Sequence, residues 1–185
     1  FEIKKPIVIN LSIGNTYGSH DGSSLLETYI DNISLIGRNC ICVGSGNEAN
    51  NGNHSFVTLN SNEEIIIQLQ VGGLQPAIDI QIWKFYSDDF EVELYNPSGE
   101  LAGKFYGSNE LRRFFSRNTQ ILTFKGQPSF YSIYEELFIE LLPINNYIDS
   151  GVWIIVIKAA YITNGAVNLW LAPSNVLSED TRFLI

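Results

Sequence analysis

The chain has 185 residues and 45% hydrophobic content, which excludes a disordered polypeptide and suffices for one good core or two small ones. Acidic residues outnumber Lys and Arg 20 to 11, and the formal charge of −9 argues against a nucleic-acid partner, because phosphate binding needs a surplus of cations. No apolar run approaches the roughly 18 residues that a transmembrane helix requires, so no membrane span is expected.

The chain contains no Met, and Phe1-Glu2-Ile3-Lys4-Lys5-Pro6 runs straight into a strand, so it reads as a piece of a longer protein. Ile7-Val8-Ile9-Asn10-Leu11 is apolar and mostly β-branched, the pattern of a parallel strand covered on both faces. It ends at Ser12-Ile13-Gly14-Asn15, and a polar loop leads to Ser23. Ser24-Leu25-Leu26-Glu27 has the form of a capping box. Leu25, Leu26, Tyr29, Ile30, Ile33 and Ile36 then recur at helical spacing, with Gly37 placed to end the helix. A strand from Cys40 to Gly44 completes a β-α-β unit, whose crossover should be right-handed. Cys40 and Cys42 point to one face of that strand, a poor geometry for bonding to each other, and read as buried free thiols.

The strand breaks abruptly at Gly44-Ser45-Gly46, followed by Asn47-Glu48. Glycine permits a tight turn there, which would fix the Asn47 side chain at the strand's carboxyl end as a candidate donor to an oxyanion. Ligands of open α/β sheets sit beyond the carboxyl ends of the strands, where Ser12 to Gly14 and Asn47 both fall.

From Ser55 the pattern changes to short alternating runs, such as Ile65 to Val71, Ile78 to Trp83 and Phe90 to Tyr95, separated by turn residues. Further runs cover Ile121 to Phe124, Glu136 to Leu142, Val152 to Ala160 and Ala166 to Leu171. Period two at this spacing predicts an antiparallel, jelly-roll-like sandwich with one wet face per sheet. The fold class is therefore α/β plus all-β. A partial parallel β-α-β core occupies residues 1–54, an inserted sandwich domain 55–172, and a return segment toward the core 173–185.

Gly46-Asn47-Glu48 after an apolar strand, with Ile9-Asn10-Leu11-Ser12-Ile13-Gly14 one helix earlier, resembles the subtilisin-like serine proteases, or subtilases. Gly18-Ser19-His20-Asp21-Gly22 and the β-rich insertion make it most similar to the clostridial spore-germination Csp-type members. The resemblance is specific over residues 6–54. It implies that Asn47 donates its side-chain amide to the oxyanion hole. It also implies that Leu11, Ser12, Ile13, Gly14, Gly44, Ser45 and Gly46 bind substrate, with backbone groups pairing to an extended peptide. The implied partners are a protein or peptide substrate and the rest of the parent protease, with no cofactor and no metal.

By the same resemblance the catalytic Asp and His precede residue 1 and the Ser follows residue 185. No Gly-Thr-Ser occurs here, so this piece alone is expected to hydrolyse nothing. The parent would be an endopeptidase activating a cortex-lytic enzyme precursor by limited proteolysis, in the spore or the cytoplasm of the forming spore. Two alternatives stand beside it. One is an inactive pseudoprotease scaffold, since some Csp-type triads have decayed. The other is a glycan- or protein-binding sandwich, with Trp83, Tyr86, Tyr106 or Tyr131 as an aromatic platform.

Several tempting motifs read as structural. His20 and Asp21 are adjacent and cannot orient one another as a triad requires, so His20 belongs to the loop and His54 to a boundary. Asp149-Ser150-Gly151 matches the subtilase mark for the catalytic Asp, but it follows the Asn motif and leads into Val152 as a turn would. Ser87-Asp88-Asp89 with Glu91 and Glu93 falls short of the roughly six to eight oxygens calcium takes and reads as a turn and a wet face. Arg112, Arg113 and Arg117 beside Phe114 and Phe115 suggest a surface hairpin or a contact with the protease body, a partner or an anionic glycan. Trp153 and Trp170 lie in alternating strands and are assigned to the sandwich core.

Overall fold

The computed structural model describes residues 5–13, 17–46, 51–105, 111–127, 130, 132–172 and 177–184. β1 (Ile7–Leu11) and β2 (Asn39–Val43) pair in parallel, with Ile7 opposite Asn39 and Leu11 opposite Val43. The N–H of Ile7 donates to the Arg38 carbonyl and that of Gly44 to the Leu11 carbonyl, both at 3.0 Å, so the ladder extends past each end of the strand pair. Between them in sequence lies α1 (Leu25–Ser34). Its start is set by Ser24, whose hydroxyl accepts from the Glu27 N–H at 3.3 Å while the Glu27 carboxylate accepts from the Ser24 N–H at 3.0 Å. After Leu35 caps the helix, Gly37 adopts φ 78°, a left-handed conformation that suits glycine and turns the chain into β2.

Two expectations for this unit are corrected. β1 is not covered on both faces: Val8 is 73% exposed, Val43 lies open, and α1 buries none of its residues. Cys40 and Cys42 are likewise exposed instead of buried. One helix and two strands supply only one layer over a sheet too narrow to close a core by itself. The shared face of the two thiols is real, and it shows electrostatically. The hydrogen bond and charge of Cys40 push the Cys42 thiol above its ordinary pKa.

The other strands form two antiparallel sheets packed face to face. One runs β3 (His54–Thr58), β12 (Ala166–Leu171), β5 (Ile78–Phe85), β10 (Tyr134–Pro143), β9 (Thr119–Lys125), β8 (Arg112–Ser116). The second runs β13 (Arg182–Leu184), β4 (Glu64–Val71), β11 (Gly151–Tyr161), β6 (Asp89–Tyr95), β7 (Leu101–Phe105). β4 pairs with β11 and β5 with β10, so pairs formed far apart in sequence nest one inside another across the two sheets. Alternation decides which side chains meet between them. Ile78, Ile80 and Ile82 of β5 face Leu69 and Val71 of β4 and Ile155 and Ile157 of β11 in one core where each is no more than 4% exposed.

Trp153 joins that core, its indole N–H donating to the Asp149 carbonyl at 2.8 Å. Trp170 does not, which corrects the core assignment made for both. Val167, Leu169 and Leu171 take the inward positions of β12, so period two sends Trp170 to the outer face. β7 had no clear signal in sequence because Gly103 interrupts it. A Cβ at Gly103 would approach the Phe114 ring at 3.3 Å, so the glycine admits that ring. β13 is the edge of the second sheet, and the N–H of Phe183 donates to the Gly52 carbonyl at 2.8 Å.

Candidate functional site

The carboxyl ends of β1 and β2 lie side by side because the Gly44 N–H holds the Leu11 carbonyl. A Cβ on Gly44 would stand 3.8 Å from the Leu11 oxygen and 4.0 Å from the Ser12 Cα, which places Leu11, Ser12 and Gly44 at one edge. Asn10 donates its side-chain amide to the Ser12 hydroxyl at 3.1 Å. Ser12, Ile13, Gly44, Ser45 and Gly46 are all exposed, while the Gly44 N–H and the Leu11 carbonyl already bond each other. Gly46 has φ 88° with nothing within 4 Å of a Cβ built on it, so its requirement for glycine is conformational and not steric. Gly14 and Asn47 lie outside the described residues.

The loop between Tyr17 and Ser24 is anchored to the sandwich, not to a catalytic partner. Asp21 accepts from the Ser19 and Ser23 hydroxyls, each at 2.6 Å, and from the Ser23 N–H at 2.9 Å. Burial alone would raise its pKa, but these hydrogen bonds outweigh it and hold the carboxyl below its ordinary value. The His20 ring stacks on Trp170 with centroids 4.2 Å apart, and His54 stacks on the same indole at 3.9 Å. Two imidazoles cannot share one face of an indole at those separations without overlapping, so Trp170 lies between them. His54 also bonds through Nε2 to the Asn168 side chain at 2.9 Å.

The other motifs are structural as well. Asp149 accepts from the Asn118 N–H at 3.0 Å and the Thr119 hydroxyl at 2.9 Å, tying the turn before β11 to the start of β9. Asp88 is buried and receives the N–H groups of Thr163, Asn164 and Gly165 at 2.7 to 3.0 Å together with the Thr163 hydroxyl. Glu93 is held to about 2, first by the hydrogen bond from Lys158 and next by that from Tyr95. Its neighbour Glu91 pairs with Lys104. The carboxylates of Asp88, Glu91 and Glu93 are thus engaged by amides, hydroxyls and lysines, and among the described residues no group of three or more His, Cys, Asp or Glu side chains is arranged to hold a metal. Of the proposed aromatic platform, Trp83 stands on the outer face of β5 and Tyr86 is exposed in the following turn, whereas Tyr106 and Tyr131 lie outside the described residues.

Sequence reading missed one grouping on that outer face. Asp79, Gln81, Glu136 and Glu140 belong to separate strands and form no local motif. Only the register of β5 on β10 brings them together.

No family model matches the chain, and no curated protein does. Among solved structures, the CspB protease of Clostridium perfringens is similar over 99% of this chain, with a TM-score of 0.89 and 31% identity. The fold is protease-related. The match takes in both the β1-α1-β2 unit and the two-sheet sandwich, and this chain spans 38% of the CspB chain's length. Among the described residues no helix is long and apolar enough to cross a membrane.

Proposed function

We propose that the chain is the cleft-bearing part of a subtilisin-like serine endopeptidase of the spore-germination type. Residues 1–54 form part of the protease core, 55–172 an inserted jelly-roll-like sandwich, and 173–185 the return toward the core. Asn47 donates its side-chain amide to the oxyanion of the tetrahedral intermediate, and the backbone of Leu11 to Gly14 and of Gly44 to Gly46 pairs with an extended substrate peptide. The triad is supplied by the rest of the parent, which also covers the open apolar residues of β1, β2 and α1. The reaction is the limited proteolysis that activates a cortex-lytic enzyme precursor.

The observation that carries this reading is the left-handed turn at Gly46, one residue before Asn47, at the carboxyl end of a parallel strand beside Leu11 and Ser12. Its support from outside the chain is the similarity in fold to CspB protease. Labelling of the full-length parent with a fluorophosphonate, which reacts with a serine activated by its histidine, tests it. The parent should label rapidly and Asn47→Ala on the order of 10²–10³ more slowly, the loss that follows removal of one oxyanion donor. A folded parent that does not label would overturn the protease reading in favour of an inactive scaffold.

A further inference from the structure

Two segments leave the candidate cleft for the sandwich, and each brings one histidine to the same side chain. The chain departs β1 at Leu11 and Ser12 and comes to His20 eight residues after Ser12; it departs β2 at Gly44 to Gly46 and comes to His54 eight residues after Gly46. The rings of His20 and His54 stack on the Trp170 indole at 4.2 and 3.9 Å, with interplanar angles of 16° and 24°. One residue of β12 therefore joins both exits of the cleft. Among the described residues the Trp170 indole N–H has no hydrogen-bond partner, so the faces of the ring, and not a polar contact, hold the two imidazoles.

The loop around His20 is built to present its ring. His20 has φ 56°, a left-handed conformation that costs free energy for a residue bearing a Cβ. Gly18 and Gly22, at φ 117° and 80°, make the turns on either side of it. Asp21 accepts from the Ser19 and Ser23 hydroxyls and the Ser23 N–H, which closes the loop on itself. A disfavoured backbone persists only where its surroundings fix it, and the stack on Trp170 is part of what fixes His20.

The connecting segments decide how the cleft stands against the sandwich. Among the described residues β1 and β2 pack on each other and α1 packs on β2, whereas none of the three packs extensively on a sandwich strand. The two exits are not held equally. Just before His54, the carbonyls of Gly52 and Asn53 accept from the N–H groups of Phe183 and Leu171, each at 2.8 Å, and His54 itself bonds to the Asn168 side chain. Loss of the indole leaves those bonds in place at the Gly46 exit, so it acts first on the Ser12 exit.

We propose that Trp170 is a positioning residue for peptide binding. Through His20 it holds the loop that leaves Leu11 to Gly14, and through His54 the segment that leaves Gly46, so that both walls of the cleft keep their place for an extended substrate. The inference rests on the protease reading.

Fluorophosphonate labelling of the full-length parent, beside steady-state cleavage of fluorescein-labelled casein, tests it. The small probe needs the activated serine and the oxyanion donor, whereas casein also needs a wall along which an extended chain can pair. Trp170→Ala should raise KM for casein about tenfold and leave kcat and the labelling rate within about twofold, the pattern of lost peptide binding. Trp170→Phe should restore KM because a phenyl ring still stacks, while Trp170→Leu, apolar but not aromatic, should not. His20→Asn removes the imidazole, tolerates the left-handed backbone and leaves the sandwich untouched, so it should raise KM as Trp170→Ala does and serves where that variant fails to fold. An unchanged KM in these variants of a parent that labels would overturn the inference alone. So would equal rescue by leucine, or a loss of kcat and labelling parallel to the rise in KM. A folded parent that does not label overturns the protease reading and this inference with it.

Discussion

Gly44 and Gly46 are two residues apart and look equivalent in sequence, yet they do different work. Gly46 alone has a positive φ, so Gly46→Ala should cost about 1–2 kcal/mol of local stability, while Gly44→Ala should be close to neutral because its Cβ meets only ordinary contacts. Hydrogen exchange of the Gly44 amide, which is bonded to Leu11, reports both. Charge at single residues sets the acid limb of stability. Glu93 is held to about 2 in the fold against its ordinary 4.5. A depressed carboxyl stabilises the native state above its unfolded pKa, so that contribution is present above pH 4.5 and is lost as the pH falls toward 2. Glu93→Gln should flatten this limb in urea unfolding between those values. Asp79, Glu136 and Glu140 act in the opposite sense: their raised pKa values mean that protonation on mild acidification relieves a native-state cost.

At the scale of elements, the joint between the 17–24 loop and the sandwich rests on Trp170. Its indole is stacked by His20 from the loop and by His54 from β3, the residue directly opposite it in the sheet. Trp170→Ala removes both stacks from a half-buried position and should cost about 2 kcal/mol, less than a fully buried tryptophan. The signature that separates this joint from general destabilisation is local. Amide exchange at Ser23, which is bonded to Asp21, should accelerate well beyond that of the β5 amides. β12 was legible as a strand, but its facing was not, because Trp170 and Leu169 are both large and apolar and only the position of the second sheet decides which turns inward.

Across the whole molecule, stability is unevenly spread. The sandwich holds the continuous core from Leu59 to Phe183, with a buried Lys84–Glu135 pair at 2.7 Å closing one end. The β1-α1-β2 unit buries none of its helix and leaves Leu25, Leu26 and Tyr29 more than half exposed. Exchange in the isolated chain should therefore fall into two classes. Amides of β4, β5, β10 and β11 open only with global unfolding, whereas those of β1, α1 and β2 open at a small fraction of that free energy. Uniform protection across both regions would contradict this division.

Local chemistry was readable from the residues alone. The capping box at Ser24, the glycine turn at Gly46 and the period-two strands of the sandwich each follow from interactions within a few residues, where backbone sterics and alternation leave little choice. What the residues could not show depended on elements distant in sequence. Cys40 and Cys42 lie exposed because no layer covers the face of β2 that carries them, and Trp170 lies between two histidines because His20 and His54 arrive from separate segments. Asp79 meets Glu140 only through the register of two strands some sixty positions apart. Periodicity specifies that a strand has two faces, but only the packed sheets decide what each face meets.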